Sequence, residues 1–168
     1  MIIGASAAGI TAAKSIRKVN AEARIVVFSE DAHFPYFRPF LTEYLCETSV
    51  LQKDNFYLNP ETWYGDNRIE LCLAEKVVSI QSAEKTITTA KGRNFSYDKL
   101  ILATGSTPFV PQPELLEREN VFAIRTLDDA KDVEQYANTV KHATVIGGGV
   151  LGIETADSLT QKGLRVTI

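Results

Sequence analysis

Two glycine-rich loops constrain this chain more than any other feature of its sequence. The first, GASAAG, begins at Gly4 directly after two isoleucines, and the second, GGGVLG, begins at Gly147 after the apolar run ATVI. An apolar strand, a glycine turn and a helix in this order form a dinucleotide-binding unit, in which the helix N-terminus faces a pyrophosphate. The sequence therefore predicts two such units.

The first loop departs from the usual pattern at its middle position. Ile2 and Ile3 are predicted to form the strand, and Gly4 the tight turn. Gly9 is predicted to allow close packing of the helix on the strand. Ser6 stands where the middle glycine usually does, but it is small and its hydroxyl can donate to a phosphate oxygen. Taken alone, the loop could equally be a small-residue turn that packs a helix on a sheet.

The residues after the first loop complete a strand–helix–strand pattern. The apolar face of the predicted helix consists of Ile10, Ala13, Ile16 and Val19, interleaved with basic residues. A second strand is predicted from Arg24 to Phe28. Glu30 follows it, about 20 residues past the last loop glycine, where a carboxylate typically binds a ribose hydroxyl.

The second loop carries the complete motif, with Gly147, Gly149 and Gly152 in the expected spacing. A strand pattern precedes it and a helix pattern follows, with Gly163 as the helix stop and a further strand from Arg165 to Ile168. This context is the confirmation that the motif requires. Two such loops in one chain also favour the nucleotide-binding interpretation of the first.

The stretch between the loops predicts a small antiparallel meander, with hairpin strands at Val78–Ile80 and Thr86–Thr88. A buried strand is predicted for KLILATG, and a crossover or linker for the proline-rich STPFVPQP. An amphipathic helix with acids at its start is predicted for LDDAKDVEQYANTVK. The fold class is therefore α/β. A Rossmann-like domain over residues 1–110, with a parallel sheet and the meander, is followed over residues 111–168 by the first half of a second one.

Composition excludes several classes of function. The formal net charge is −3 and 45% of residues are hydrophobic, with no basic stripe for nucleic acid and no long apolar run for a membrane. Cys46 and Cys72 lie far apart in the sequence and are expected to be reduced thiols in a cytoplasmic protein. His33 and His142 are isolated, so no metal site is expected.

Together, the two loops, the meander and the ATG strand resemble the FAD/NAD(P)-dependent pyridine nucleotide–disulfide oxidoreductase superfamily. The similarity is greatest to the branch of rubredoxin and ferredoxin reductases, the flavin domain of nitrite reductase large subunits, and NADH oxidases. The resemblance implies that the first domain binds FAD and the second NAD(P)H. It assigns to FAD the residues Gly4, Ser6, Ala7, Ala8, Gly9, Glu30, Arg38, Pro39, Val77, Ala103, Thr104 and Gly105, and to NAD(P)H the residues Gly147, Gly149, Val150, Leu151 and Gly152.

The resemblance also implies where the chemistry lies. Glu154 corresponds to the acid that reaches toward the flavin and the nicotinamide, and its usual partner is a lysine, at whose position this chain has Glu43. Both residues are therefore candidate catalytic residues. Val150 stands where several members have a tyrosine that covers the flavin, so we expect a more open ring.

The segment PYFRPFLTEYL, which the family places beside the flavin, has no cysteine, because Cys46 falls several residues too late. Electrons are therefore expected to leave the flavin directly, to a small rubredoxin- or ferredoxin-like protein or a nitrite reductase-type module. Two alternatives remain open: an NADH oxidase that reduces oxygen, and a non-catalytic nucleotide-binding fragment.

The family pattern also predicts that the chain is a fragment. Part of the first strand, the closing segment of the FAD domain and a C-terminal interface domain are expected to lie outside these residues. The family pattern allows a homodimer for the full-length form. The residue that selects NADH or NADPH is expected about two positions past Ile168, by analogy with Glu30 in the first unit.

Overall fold

A computed structural model describes all residues from Met1 to Ile168. The chain divides into two compact units that alternate along the sequence. The first consists of Met1–Phe37 and Tyr57–Ser106, and the second of Arg38–Phe56 and Thr107–Ile168. Both combine helices with strands, which confirms the α/β class. The domain boundary between residues 110 and 111 stays a prediction.

Helices and strands follow one another closely along the chain. The helices are α1 (Ala7–Val19), α2 (Phe40–Tyr44), α3 (Glu61–Asp66), α4 (Leu127–Ala137) and α5 (Val150–Gln161), with 3-10 turns at Thr48–Gln52 and Pro113–Glu117. The strands are β1 (Ile2–Ile3), β2 (Ile25–Phe28), β3 (Ile69–Cys72), β4 (Val77–Gln81), β5 (Thr86–Thr89), β6 (Asn94–Ser96), β7 (Ile101–Leu102), β8 (His142–Thr144) and β9 (Arg165–Thr167).

A four-stranded parallel sheet forms the centre of the first unit, in the order β3-β2-β1-β7. All four residues of β2 are buried, as expected for an apolar strand covered on both faces. Ile10 and Ala13 of α1 pack against Ile2 and Val27 in the core. The predicted apolar face of α1 is wrong at its last member, because the Val19 side chain is 86% exposed at the helix end.

The antiparallel meander is confirmed. Strand β5 pairs with β4 and β6, and Ile80 lies opposite Ile87. The buried Ile87 belongs to a cluster with Phe28, whose ring meets that of Phe95 edge-on at 4.9 Å between centroids. This cluster holds the meander against the parallel sheet of the same unit.

The prediction of a buried strand in KLILATG is wrong, because the strand found there, β7, is exposed. It pairs only with β1 at the edge of the sheet, and its two residues, Ile101 and Leu102, are exposed. The apolar composition suited a strand covered on both faces, whereas an edge strand has a neighbour on one side only.

In the second unit, β8 and β9 pair in parallel and α5 connects them. Helix α4 begins with the predicted acids, Asp128 and Asp129, and with a capping box: the Thr126 hydroxyl accepts from the Asp129 amide, and the Asp129 carboxylate accepts from the Thr126 amide. Lys162 donates to Glu134 at 2.6 Å and ties the end of α5 to α4. No helix is both long and apolar enough to cross a bilayer.

Candidate dinucleotide-binding sites

The backbone of the first loop requires glycine at two positions. Gly4 has a φ of +107°, and a Cβ there would lie 2.0 Å from the carbonyl oxygen of Ala103. A Cβ on Gly9 would lie 1.8 Å from the carbonyl oxygen of Gly4. Both positions therefore need a residue without a side chain, so that α1 and β7 can approach the turn after β1.

The second loop repeats the positive φ of the turn glycine and the tight contact of the packing glycine, although a Cβ on Gly147 would meet nothing within 4 Å. Gly147 has a φ of +114°, and a Cβ on Gly152 would lie 1.9 Å from the carbonyl oxygen of Gly147. Gly4 and Gly147 are thus equivalent turns, and Gly9 and Gly152 are equivalent packing positions. The two loops share one backbone design, as their spacing predicted.

The middle position differs in kind, which explains why Ser6 is compatible with the fold. Ser6 and Gly149 are the N-caps of α1 and α5, with φ of −92° and −75°, and both are extended. Neither angle requires glycine. A Cβ on Gly149 would meet no protein atom within 4 Å, so this glycine leaves space that the fold itself does not fill.

The N-termini of α1 and α5 are built differently from that of α4. Neither Ser6 nor Gly149 makes a side-chain capping bond, and neither helix has an acid in its first turn. Helix α4 has both a capping box and two acids there. The first amide groups of α1 and α5 therefore lack an anionic or hydroxyl partner from the protein, and together with the helix dipole they suit a phosphate group.

The other predicted FAD residues of the first unit lie around the carboxyl ends of its parallel strands. Ala103 donates its amide to the carbonyl oxygen of Ile3 at 2.7 Å, which places Ala103, Thr104 and Gly105 beside the first loop. Glu30 follows β2 and is exposed, with its carboxylate 3.1 Å from the Nζ of Lys76. Val77 is the first residue of β4. This is the edge at which open α/β sheets bind their ligands.

Sequence reasoning missed Glu75, whose backbone amide bonds to the residue before Glu30 and whose carboxylate is buried. Its side chain is 1% exposed and forms ion pairs with Lys91, at 3.2 Å, and with Arg93. Its amide donates to the carbonyl oxygen of Ser29 at 2.7 Å. The bonds from Arg93 lower the pKa of Glu75 to about 2. No local pattern marks this residue, because its partners come from other segments of the chain.

We expect the Glu75→Gln substitution to lower the free energy of unfolding at pH 7. Because the folded state depresses the pKa of Glu75 from 4.5 to about 2, its contribution to stability is fully present above pH 4.5 and disappears as the pH falls toward 2. Urea unfolding at several pH values should show the largest difference between wild type and variant at pH 7. A difference that stays constant down to pH 2 would contradict the ion-pair assignment.

The Arg-Pro segment belongs to the second unit. The Arg38 guanidinium donates to the carbonyl oxygen of Arg125, and Pro39 precedes α2 as its N-cap residue. Helix α2 carries Glu43, which forms an ion pair with Lys53. The hydrogen bond that Lys53 donates to Glu43 within this ion pair raises the pKa of Lys53.

The second candidate catalytic residue, Glu154, is exposed on α5 and has a different partner. The buried hydroxyl of Thr42 donates to its Oε2 at 3.1 Å. The structure therefore brings Glu154 to α2, as the resemblance implied, but through Thr42 and not through the position of Glu43. Sequence reasoning missed both Thr42 and Lys53. The roles of Glu43 and Glu154 stay predictions.

The cysteines and possible metal ligands add no further site. Cys46 and Cys72 are free thiols, and burial raises the pKa of Cys72. Cys46 lies in the turn after α2, where its thiol donates to the carbonyl oxygen of Glu43 at 3.3 Å. No group of three or more acidic, histidine or cysteine side chains is placed to hold a metal ion.

Three known proteins show what this chain is similar to. The large subunit of nitrite reductase (NAD(P)H) from Klebsiella oxytoca is 39% identical over 152 residues, which cover 90% of this chain and 16% of that protein. Rubredoxin-NAD(+) reductase from Ectopseudomonas oleovorans is 33% identical over 173 residues, which cover 100% of this chain and 43% of that protein. A chain in the crystal structure of the covalent putidaredoxin reductase–putidaredoxin complex superposes with a TM-score of 0.87 at 27% identity, over 98% of this chain and 40% of that chain.

This chain thus spans less than half the length of each of these three proteins. The family model for pyridine nucleotide-disulphide oxidoreductases matches residues 1–168. Members of this family use FAD and NAD(P)H. The chain therefore belongs to the pyridine nucleotide-disulphide oxidoreductase family.

Proposed function

We propose that the protein is a FAD-dependent NAD(P)H oxidoreductase that passes electrons to a small redox protein. The observation that carries this proposal is the repeated loop geometry, with a positive-φ glycine, a tight glycine contact and an uncapped helix in each unit. In the proposal, the first loop binds FAD and the second binds NAD(P)H. The flavin supplies the redox chemistry when bound, and the protein orients the two nucleotides.

Within the first unit, the amides at the start of α1 would hold the FAD pyrophosphate, helped by the Ser6 hydroxyl. The Glu30 carboxylate would accept a hydrogen bond from a hydroxyl of the adenosine ribose. To do so it would have to give up its exposed ion pair with Lys76. An exposed ion pair of this kind is worth at most about 1 kcal/mol, so the exchange costs little. Ala103 to Gly105 would approach the flavin nucleotide from β7.

Within the second unit, the amides at the start of α5 would hold the NAD(P)H pyrophosphate. Val150 and Leu151, which follow Gly149, are exposed and available to the coenzyme. Glu154 lies one turn further along α5, on the helix whose N-terminus would bind the coenzyme. In the proposal, this carboxylate would lie near the site of hydride transfer.

A small redox protein is the proposed electron acceptor. The segment from Pro35 to Leu45 contains no thiol that could relay electrons as a disulfide. Two of the similar proteins carry rubredoxin or putidaredoxin in their names. Stopped-flow mixing of the NADH-reduced protein with rubredoxin or ferredoxin, without oxygen, tests the proposal. Rapid flavin reoxidation by either is expected, whereas no reoxidation by any small iron–sulfur protein would contradict it.

An oxidase is the second candidate, and Val150 is the observation that favours it. Its side chain is 73% exposed, at the position where several family members place a tyrosine over the flavin. A valine would leave the ring more accessible to oxygen. Aerobic NADH consumption without an added acceptor favours the oxidase, and its fall in a Val150→Tyr variant would assign the effect to this position.

A further inference from the structure

The Thr42 hydroxyl has two acceptors and one hydrogen. Its Oγ1 lies 3.1 Å from Oε2 of Glu154 and 3.3 Å from the carbonyl oxygen of Pro39, three residues earlier in the chain. A hydroxyl donates once and accepts twice. The carboxylate is the stronger acceptor because it is charged, so the hydrogen goes to ionised Glu154.

The same geometry accommodates a protonated Glu154. A carboxylic acid can donate to a lone pair of Thr42 Oγ1, and the threonine hydrogen then turns to the Pro39 carbonyl oxygen. In both states the Thr42 hydroxyl and the Glu154 carboxyl group keep a hydrogen bond to each other. Since Thr42 is 6% exposed, its hydroxyl stays shielded from most of the solvent that would otherwise compete for these bonds.

The Glu43 carboxylate takes no part in this arrangement, because it forms an ion pair with Lys53. Lys53, directly after the 3-10 turn Thr48–Gln52, pairs with the Glu43 carboxylate, and its Nζ lies 5.9 Å from the centre of the Phe40 ring. The negative charge of Glu43 is therefore compensated within its own segment. The hydrogen bond from α2 to Glu154 comes from Thr42.

We infer that Thr42 is a positioning residue for Glu154. It fixes the carboxyl group of Glu154 in one orientation through a neutral hydroxyl, whichever protonation state Glu154 adopts. This inference rests on the proposed function, in which Glu154 lies beside the hydride-transfer site. It makes the hydroxyl of Thr42, and not a cation on α2, the group that sets the orientation of Glu154.

The test replaces Thr42 by valine, which keeps the shape and removes the hydroxyl, and by serine, which keeps the hydroxyl. In the FAD-loaded protein, Thr42→Val should lower the limiting rate of flavin reduction by NADH about tenfold, the order expected for a lost hydrogen bond to a charged group. The NADH concentration at half-maximal rate should stay unchanged. Thr42→Ser should restore the rate.

A readout independent of turnover is the ¹³C chemical shift of the Glu154 carboxyl carbon. It should move in Thr42→Val and return in Thr42→Ser. Thr160→Val is the matched control, because the Thr160 hydroxyl donates to Ala156 on the same helix, at 2.7 Å, and not to Glu154. This control should leave both readouts unchanged.

An unmoved Glu154 signal in Thr42→Val would overturn the inference. If Thr42→Val does not fold, Thr42→Ala provides the same two readouts. In a Glu154→Ala background, which has no acceptor for the Thr42 hydroxyl, removal of that hydroxyl should cause no further loss of rate, and an independent loss would also overturn the inference. If NADH does not bleach wild-type flavin, the proposed function fails, and the carboxyl signal alone then decides the role of Thr42.

Discussion

A Gly149→Leu variant is expected to keep its FAD and lose reduction by NAD(P)H. The fold tolerates a side chain at residue 149, because its φ is −75° and a Cβ there would meet no protein atom within 4 Å. The space that a leucine fills is the space proposed for the coenzyme pyrophosphate. Because leucine is a poor N-cap residue, α5 should lose about 1 kcal/mol of stability and remain folded.

Anaerobic mixing with NADH and with NADPH measures the effect on the flavin spectrum. Gly149→Ala should give an intermediate rate, since a single methyl group obstructs less of the loop. Simultaneous loss of FAD and of NAD(P)H reduction in Gly149→Leu would argue that the second loop has a structural role only.

The second large effect is expected from Gly9→Ala, which should unfold or severely loosen the first unit. The added Cβ would lie 1.8 Å from the carbonyl oxygen of Gly4, which is backbone and cannot rotate away. Helix α1 would have to move off β1, at a cost of about 3 kcal/mol or more. Chemical denaturation should show this loss, and the purified variant should be colourless.

Gly65→Ala is the matched control. It makes the same change within α3 of the same unit, where a Cβ meets nothing within 4 Å. Its stability should stay the same or rise slightly, because alanine favours the helix. Equal losses in Gly9→Ala and Gly65→Ala would contradict the close-packing role of Gly9.

Local patterns predicted the elements that local interactions determine. The glycine loops, the meander and the start of α4 depend on residues a few positions apart, such as Thr126 and Asp129, and each was found where the sequence placed it. The middle position of the first loop follows the same logic, since Ser6 has an extended backbone that any residue adopts.

The partners of charged side chains could not be predicted in this way. Glu154 contacts Thr42, more than a hundred residues away in the sequence, and Glu43 pairs with a lysine ten residues later in the chain. Glu75 is buried only because the strands bring Lys91 and Arg93 to it. Such pairings depend on tertiary packing, and a charge in the sequence predicts an exposed side chain unless the partner is known.

The sequence patterns also failed to predict which apolar side chains are exposed at the end of a helix or in an edge strand. Val19 continues the helical spacing of α1 but lies in its last turn, beyond the strands that cover Ile10 and Ala13. Ile101 and Leu102 have the composition of a central strand and lie in an edge strand instead. Periodicity identifies the apolar residues of an element, whereas the neighbours that cover them follow from topology.

The central proposal is that the protein binds FAD and NAD(P)H on its two glycine loops and transfers hydride from the coenzyme to the flavin. The most direct test is anaerobic titration of the purified, FAD-loaded protein with NADH and with NADPH, followed through the visible absorbance of the flavin. The account predicts that bound FAD is bleached by at least one of the two coenzymes. Failure to bind FAD, or bound FAD that neither coenzyme reduces, would contradict it.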